Sequence, residues 1–400
     1  MRLLGFLALL VLAFTPAYAE EKQPIVVGDI IEMNLWAQMG INHRNGVKLA
    51  VEEINNAGGL LDRRPLEVIY RDGGSGNPAD VLKDAEELVN RHNVKFITGT
   101  GPDNNGLAVS SWAKRNKIFY LKGINGTNKH IWQEGHRYAF RFDVPNYMYG
   151  QALAAAAAET GAKRWAFVGP DYEFGRSVLE DFQKALKERI PEAEWVEIQW
   201  HPIQKIEAGL VAQAIEHKKP DAILVAHWGS DATQFIREGT KRGLFDNRTV
   251  VSVLLGQPEG LEVLGEEAPV GWITQGYPYN DIDTPAHKAF VEAYRAKYED
   301  NPGWFAFTGY NMMKSLATAV EKAGTDDMES IVDAMEGLTF DSTAGPITYR
   351  AADHQSNLGL WIGKTAIVDG TPTIVDWTYK SGDLYYPGDD YVKTVRPQEE

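Results

Sequence analysis

The residues best placed to do chemistry lie in the stretch 94–128, VKFITGTGPDNNGLAVSSWAKRNKIFYLKGINGTN. Gly99, Gly101 and Gly106 follow a short apolar run. Glycine-rich turns after strands expose backbone N–H groups that can cradle phosphate. The spacing excludes both common versions. A dinucleotide-binding turn needs G-x-G-x-x-G, and Asn104 stands where the third glycine belongs. A P-loop needs a lysine and a hydroxyl after its second glycine, and Leu107 and Ala108 stand there. The chain has no G-x-S-x-G elbow, none of its nine histidines has the H-E-x-x-H spacing, and it lacks cysteine, so thiol catalysis and disulfides are excluded. No catalytic residue, metal site or cofactor is therefore expected. What remains is a turn leading into a helix, with Asp103 and Asn104 as residue types that cap helix N-termini.

The elements around this turn form a βαβ unit. Residues 94–98 and 118–121 read as short buried strands, and Leu107, Val109 and Trp112 mark the helix between them. In open α/β sheets a ligand sits at the carboxyl ends of the strands, here 99–105 and 122–128. The same alternation precedes the unit, with strands at 25–31 and 66–70, a helix at 43–57 stopped by Gly58 and Gly59, and a helix capped by Asn77. A strand at 138–142 follows it. The pattern then begins again, with strands at 164–168, 195–200, 222–226 and 249–255 separated by helical segments. The expected fold class is α/β, two Rossmann-like parallel-sheet lobes with helices on both faces. After 271–277 the chain reads as helices at 286–298, 305–323 and 330–335 without new strands, and these are expected to pack back on the first lobe. Met312 and Met313 fall in the core pattern of the second of them. The lobes are expected at 20–143 plus 278–345 and at 144–277 plus 346–400. Three crossings near 143–146, 276–280 and 345–350, where Pro, Gly or Asn breaks the pattern, would make a hinge rather than a tether.

Residues 1–19, MRLLGFLALLVLAFTPAYA, read as an export signal: Arg2, an apolar core, and Ala17-Tyr18-Ala19 as the cleavage site. No later stretch approaches the length of a membrane span. Without a cysteine after the signal there is no lipid anchor, and an exported, unanchored, cysteine-free chain suits a Gram-negative periplasm. The formal charge is −15, or −16 once Arg2 is removed, which disfavours nucleic acid and anionic membranes as partners.

Two sequential βαβ lobes behind an export signal resemble the type I periplasmic binding proteins. Local segments are similar to the branched-chain amino-acid (leucine/isoleucine/valine) binding family: NGVKLA at 45–50 with Ile54-Asn55 and Gly58-Gly59-Leu60, Gly126-Thr127-Asn128, DYEFG at 171–175, and Tyr310 through SLATA at 315–319. The resemblance runs from about residue 24 to 365. It implies a receptor that captures a small polar solute (an amino acid, an amide or a related, even aromatic, compound) between two hinged lobes. The receptor would act as a monomer and hand the solute to an inner-membrane ABC permease. The same fold used as a periplasmic ligand sensor is the alternative reading.

The resemblance also implies where the solute would sit. Trp36 stands on the loop after the first strand, where the family has an aromatic or polar wall. The family's serine on the next loop is replaced here by Asp103, flanked by Asn104 and Asn105. Gly126 and Thr127 match a small residue followed by threonine, Tyr172 matches an aromatic of the second lobe, and Trp228 stands where another aromatic is common. The acid that holds a ligand ammonium corresponds to Glu259 or, one slip away, to Gln257. His227, beside Trp228, reads as a packed or exposed loop residue. The substitution at Asp103 bears on the ligand. A carboxylate at a helix start repels a ligand carboxylate unless it turns away as a cap. At about 4 Å and an effective dielectric of about 20, two such charges interact by about 4 kcal/mol. Asp103 is thus expected to face the cleft and to select against ligands with a free carboxylate.

Overall fold

Strands covered on both faces by helices must be apolar along their whole length. Five strands begin the chain in the computed structural model, which describes residues 22–124 and 126–397; the inner ones are largely buried, and the edge strand at 66–72 carries Glu67, Arg71 and Asp72. The export signal at 1–19 lies outside the described residues. The first strands are β1 (Ile25–Ile31), β2 (Leu66–Asp72), β3 (Phe96–Gly99), β4 (Phe119–Lys122) and β5 (Ala139–Arg141). They form one parallel sheet in the order β2-β1-β3-β4-β5. The crossover helices are α1 (Ala37–Asn56), α2 (Pro78–His92) and α3 (Asp103–Asn116). Local chemistry sets their ends. The Asn77 side chain accepts from the N–H of Ala79 ahead of Pro78, and α2 stops at Asn93 in the left-handed conformation.

Helix α4 (Asn146–Ala158) leads into the second set: β6 (Arg164–Pro170), α5 (Glu173–Arg189), β7 (Glu194–His201), α6 (Ala208–Lys218), β8 (Ala222–Val225), α7 (Gly229–Lys241), β9 (Thr249–Gly256), α8 (Pro258–Leu264) and β10 (Ile273–Gly276). These five strands are parallel and follow the order β7-β6-β8-β9-β10. The two sheets thus repeat one strand order, which is the internal repeat expected from the sequence.

Three helices come next, α9 (Pro285–Tyr298), α10 (Trp304–Ala323) and α11 (Met328–Met335). Helix α10 lies along α1 of the first set, as expected. Small residues let the two backbones close: a Cβ on Gly46 would sit 2.1 Å from the carbonyl oxygen of Ala306. Beneath them the buried His43 ring meets Asp29 at 2.9 Å, and the Thr98 hydroxyl donates to the same carboxylate oxygen at 2.8 Å.

The C-terminal part departs from expectation. A two-stranded ribbon, β11 (Thr339–Ser342) and β12 (Gly345–Thr348), follows α11. Two long strands, β13 (Leu360–Val368) and β14 (Thr371–Lys380), then add to the second sheet antiparallel beside β10. Their turn is Asp369-Gly370, both at positive φ, the two-residue turn that matches the twist of a hairpin. Residues near 345–350 do not form the third crossing. The chain stays with the first sheet through 356, where the N–H of Arg141 donates to His354 and the N–H of Ser356 to Arg141, and it crosses at 357–359. The last helix, α12 (Asp389–Val395), returns from the second sheet to seat Val392 on Ile131 and Trp132, so the tail is not confined to the second lobe.

The α1–α10 contact makes a direct prediction. Gly46→Ala forces a methyl into a backbone carbonyl, and overpacking of this kind costs about 1–3 kcal/mol. A urea unfolding midpoint lowered accordingly is expected. An unchanged midpoint would mean that the two helices are not held at this separation.

Candidate functional site

In the order 2-1-3-4-5, chain direction switches between the first and third strands, which leaves a crevice at their carboxyl ends. The molecule has two such crevices, beyond β1/β3 and beyond β6/β8, and they face each other. Loops from both sheets enclose a cavity of about 290 Å³ between them. Its wall includes Trp36 after β1, Gly101 and Asp103 after β3, and Gly126 after β4. From the second sheet come Tyr172 after β6, His227 and Trp228 after β8, and Gln257 and Glu259 after β9.

Aromatic rings form much of the wall and its closure. Trp36 meets Trp228 edge to face across the cleft, centroids 4.6 Å apart, and Phe174 and Tyr172 pack on the same Trp228 ring. The Gln204 side chain donates to the carbonyl of Leu35 beside this pair, a second contact between the two sets.

Asp103 is buried, 2% exposed, and is the first residue of α3. Pro102 occupies the N-cap position, and no side chain caps this helix, so the capping role open to Asp103 from the sequence is not the one it takes. Instead its Oδ1 accepts from the N–H groups of Gly126 at 2.9 Å and Thr127 at 3.1 Å on the neighbouring loop. Its Oδ2 is buried with no hydrogen-bond partner. Burial pushes the Asp103 carboxyl above its ordinary range, opposed by Lys122 and Arg141. Those two cations lie behind the wall rather than in it. Burial in turn pushes the Lys122 ammonium well below its ordinary range, with Arg141 adding to the effect and Asp103 opposing it.

Glu259 also lines the cavity but has other work. Its Oε1 accepts from Asn42 Nδ2 at 3.0 Å and the N–H of Phe305 at 3.2 Å, and its Oε2 from the N–H of Trp304 at 3.1 Å. The carboxylate of α8 thus sits on the N-terminus of α10, a favourable place for an anion, and ties the second set to the first. Gly303 makes the approach possible, since a Cβ there would fall 1.9 Å from Oε1. Gln257, at the N-cap of α8, lines the cavity while donating to Gln275 at 3.0 Å.

Three residues picked from the sequence are not in the wall. Asn104 is exposed on the outer face of α3. Asn105 is buried behind the loop and donates to Glu32 at 2.6 Å, a carboxyl that burial raises to about 7. The Thr127 hydroxyl donates to Glu173 of α5 at 2.8 Å, another tie between the sets. The helical period explains why Asn104 and Asn105 turn away: consecutive residues at a helix start point about 100° apart, so of 103–105 only Asp103 lines the cavity.

The sequence reading also missed wall residues. Asp143 and Asn146 come from the first crossing, and Trp304 and Phe305 from the start of α10. Asp143 is raised to about 7 by burial, opposed by the N–H of Val144 and by Arg141. Both polar side-chain atoms of Asn146 are buried without a partner. His227, read as a packed or exposed loop residue, lines the cavity with Nδ1 unpartnered, and burial beside His201 pushes its pKa well below the ordinary value. The Pro and Asn residues at 143–146 marked the first crossing; that a hinge segment also lines the cavity it closes was the available signal.

Fold and cavity together define a two-lobed solute-binding architecture. The chain belongs to the periplasmic binding protein family, whose sequence model matches residues 35–370. It is 24% identical over 324 residues to the leucine-, isoleucine-, valine-, threonine- and alanine-binding protein of Pseudomonas aeruginosa, covering 78% of this chain and 82% of that one. It is 25% identical over 389 residues to Leu/Ile/Val-binding protein homolog 6 of Brucella suis, 94% of each chain. Among solved structures, a solute-binding protein of an ABC transporter from Rhodopseudomonas palustris in complex with 3,4-dihydroxybenzoic acid superposes with a TM-score of 0.82 at 24% identity, covering 90% of this chain and 98% of that one. Another from that organism, in complex with benzoate, gives 0.78 at 20% identity, with 90% and 97% covered. The solved neighbours share the two-lobed type I fold.

Glu259→Ala removes three hydrogen bonds that join α8 to α1 and the start of α10 across the cavity. Because hydrogen bonds to a charged group contribute about 1.5–3 kcal/mol, even part of that lost on closure weakens ligand binding roughly tenfold. Titration calorimetry should show this, and small-angle scattering of the unliganded variant should show a more open particle. Unchanged affinity and profile would remove Glu259 from the closing device.

Proposed function

We propose that the protein is the periplasmic solute-binding component of an ABC importer, exported by residues 1–19, monomeric, and delivering its solute to an inner-membrane permease. The observation that carries this reading is the cavity at the two facing crevices, roofed by the Trp36–Trp228 contact. A solute held there touches both lobes, so its binding free energy favours the closed form, and closure is the signal a permease can read. Trp36, Asp103, Gly126, Tyr172, Trp228, Gln257 and Glu259 all line that space and would contact the solute. The relatives are named as solute-binding proteins rather than enzymes, and no turnover of the solute is expected.

The lobes in this reading are 22–142 with 277–356, and 143–276 with 357–388. They turn about the crossings at 142–146, 277–284 and 357–359, while α12 rests on Trp132 beside the first crossing. Several connections constrain closure to a rigid-body rotation.

A thermal-shift screen over amino acids, their amides, amines and aromatic acids tests the reading. A solute at 100 times its dissociation constant adds about 2.7 kcal/mol of stability. The true ligand should also contract the scattering profile, and Trp228→Ala should weaken it at least tenfold by removing the aromatic contact. A saturating ligand that leaves the profile unchanged, or that is chemically converted, contradicts the assignment.

A further inference from the structure

The unpartnered polar atoms on the residues that line the cavity are Asp103 Oδ2, His227 Nδ1, both side-chain atoms of Asn146 and the indole N–H of Trp304, and none of them is a cation. Among the described residues no lysine or arginine lines it, whereas Asp103, Asp143 and Glu259 do. Glu259 is fully engaged by α10 and Asn42. Asp103 is not: Oδ1 is held by two N–H groups, and Oδ2 has no partner in a side chain 2% exposed.

The histidine pair adds a second acceptor. His201 Nδ1 lies 2.9 Å from the carbonyl of Pro202, which can only accept, so Nδ1 carries the hydrogen. In the neutral ring Nε2 is then an acceptor, and His227 Nε2, 2.9 Å away, must donate to it. That assignment follows from the hydrogen-bond network. It leaves His227 Nδ1 without a hydrogen and without a partner, on a residue that lines the cavity. Asn146, also unpartnered, can accept or donate.

An anionic ligand finds the opposite of what it needs. The N–H groups of Gly126 and Thr127 on the loop after β4 are already taken by the chain's own carboxylate. We propose, resting on the solute-receptor reading above, that the cavity binds an organic cation bearing N–H donors and no carboxylate: a primary amine, amidine or guanidine on a flat or aliphatic apolar body. The charged head donates to Asp103 Oδ2 and His227 Nδ1, and the body lies against Trp36, Trp228 and Tyr172, whose ring faces also attract cations. Arg141 stands behind Asp103 as its inner counter-charge, and the bound cation supplies the outer one.

The test compares probes of one shape and different charge. Benzylamine, benzamidine, benzyl alcohol and benzoate are titrated calorimetrically against the protein and against Asp103→Asn, which keeps the Oδ1 acceptor. Benzylamine or benzamidine should bind at least tenfold more tightly than benzyl alcohol or benzoate, and Asp103→Asn should erase that preference. In parallel, a small-molecule cell extract is split on a cation exchanger near neutral pH, and each fraction is tested for thermal stabilisation of the wild-type protein, which keeps the test open if the variant does not fold. Stabilisation by the retained fraction supports the proposal. Preference for benzoate, or stabilisation by the flow-through alone, overturns the cation while leaving the receptor reading intact. Stabilisation by neither fraction counts against the receptor reading itself.

Discussion

The loop after β4 holds the molecule's parts together, and a single buried carboxylate anchors it. Asp103 reaches from the start of α3 to the N–H groups of Gly126 and Thr127. The carbonyl of Gly126 accepts from the N–H of Asn146 at 2.6 Å, where the chain enters the second lobe. The carbonyl of Thr127 accepts from Arg141 at 2.7 Å, and its hydroxyl donates to Glu173 of α5 at 2.8 Å. One loop therefore meets the first sheet, the first crossing and the second lobe within two residues. A buried charge that lost its hydrogen bonds would cost several kcal/mol, so this arrangement is fixed before any solute arrives.

Because the loop is pre-set, the chemistry of the cavity is set as well. A carboxylate that takes the loop's donors converts an anion-binding turn into an acceptor surface. The solved relatives with benzoate and 3,4-dihydroxybenzoic acid hold acids within the same architecture. Closure is built separately, from Trp36 on Trp228 and from Glu259 on the start of α10. These contacts join the lobes at the roof and the flank of the cavity, leaving the space between them to the solute.

Much of this was legible in the sequence. Alternating apolar runs and amphipathic helices gave both sheets, because parallel strands buried on two faces have a plain signature. The resemblance to the family picked Trp36, Tyr172 and Trp228 on loops after strands, and all three line the cavity. What failed was orientation. Asn104 and Asn105 flank Asp103 in sequence but turn away with the helix, and Thr127 faces Glu173 rather than the cavity. Trp304 and Phe305, supplied by a distant segment, carried no local signal because only the tertiary fold brings them to the cleft. The antiparallel hairpin of β13 and β14 was missed although Asp369-Gly370 marks its turn, since the helical run before it suggested that the strands had ended.

The central claim is that Asp103 occupies the loop donors itself and offers its free oxygen to a cation. The most direct measurement is a crystal structure of the protein with the strongest binder among the amine and acid probes. The account predicts a ligand N–H group within hydrogen-bond distance of Asp103 Oδ2, with Oδ1 still on Gly126 and Thr127. A ligand carboxylate seated on those two N–H groups, with Asp103 swung out of the cavity, would contradict it.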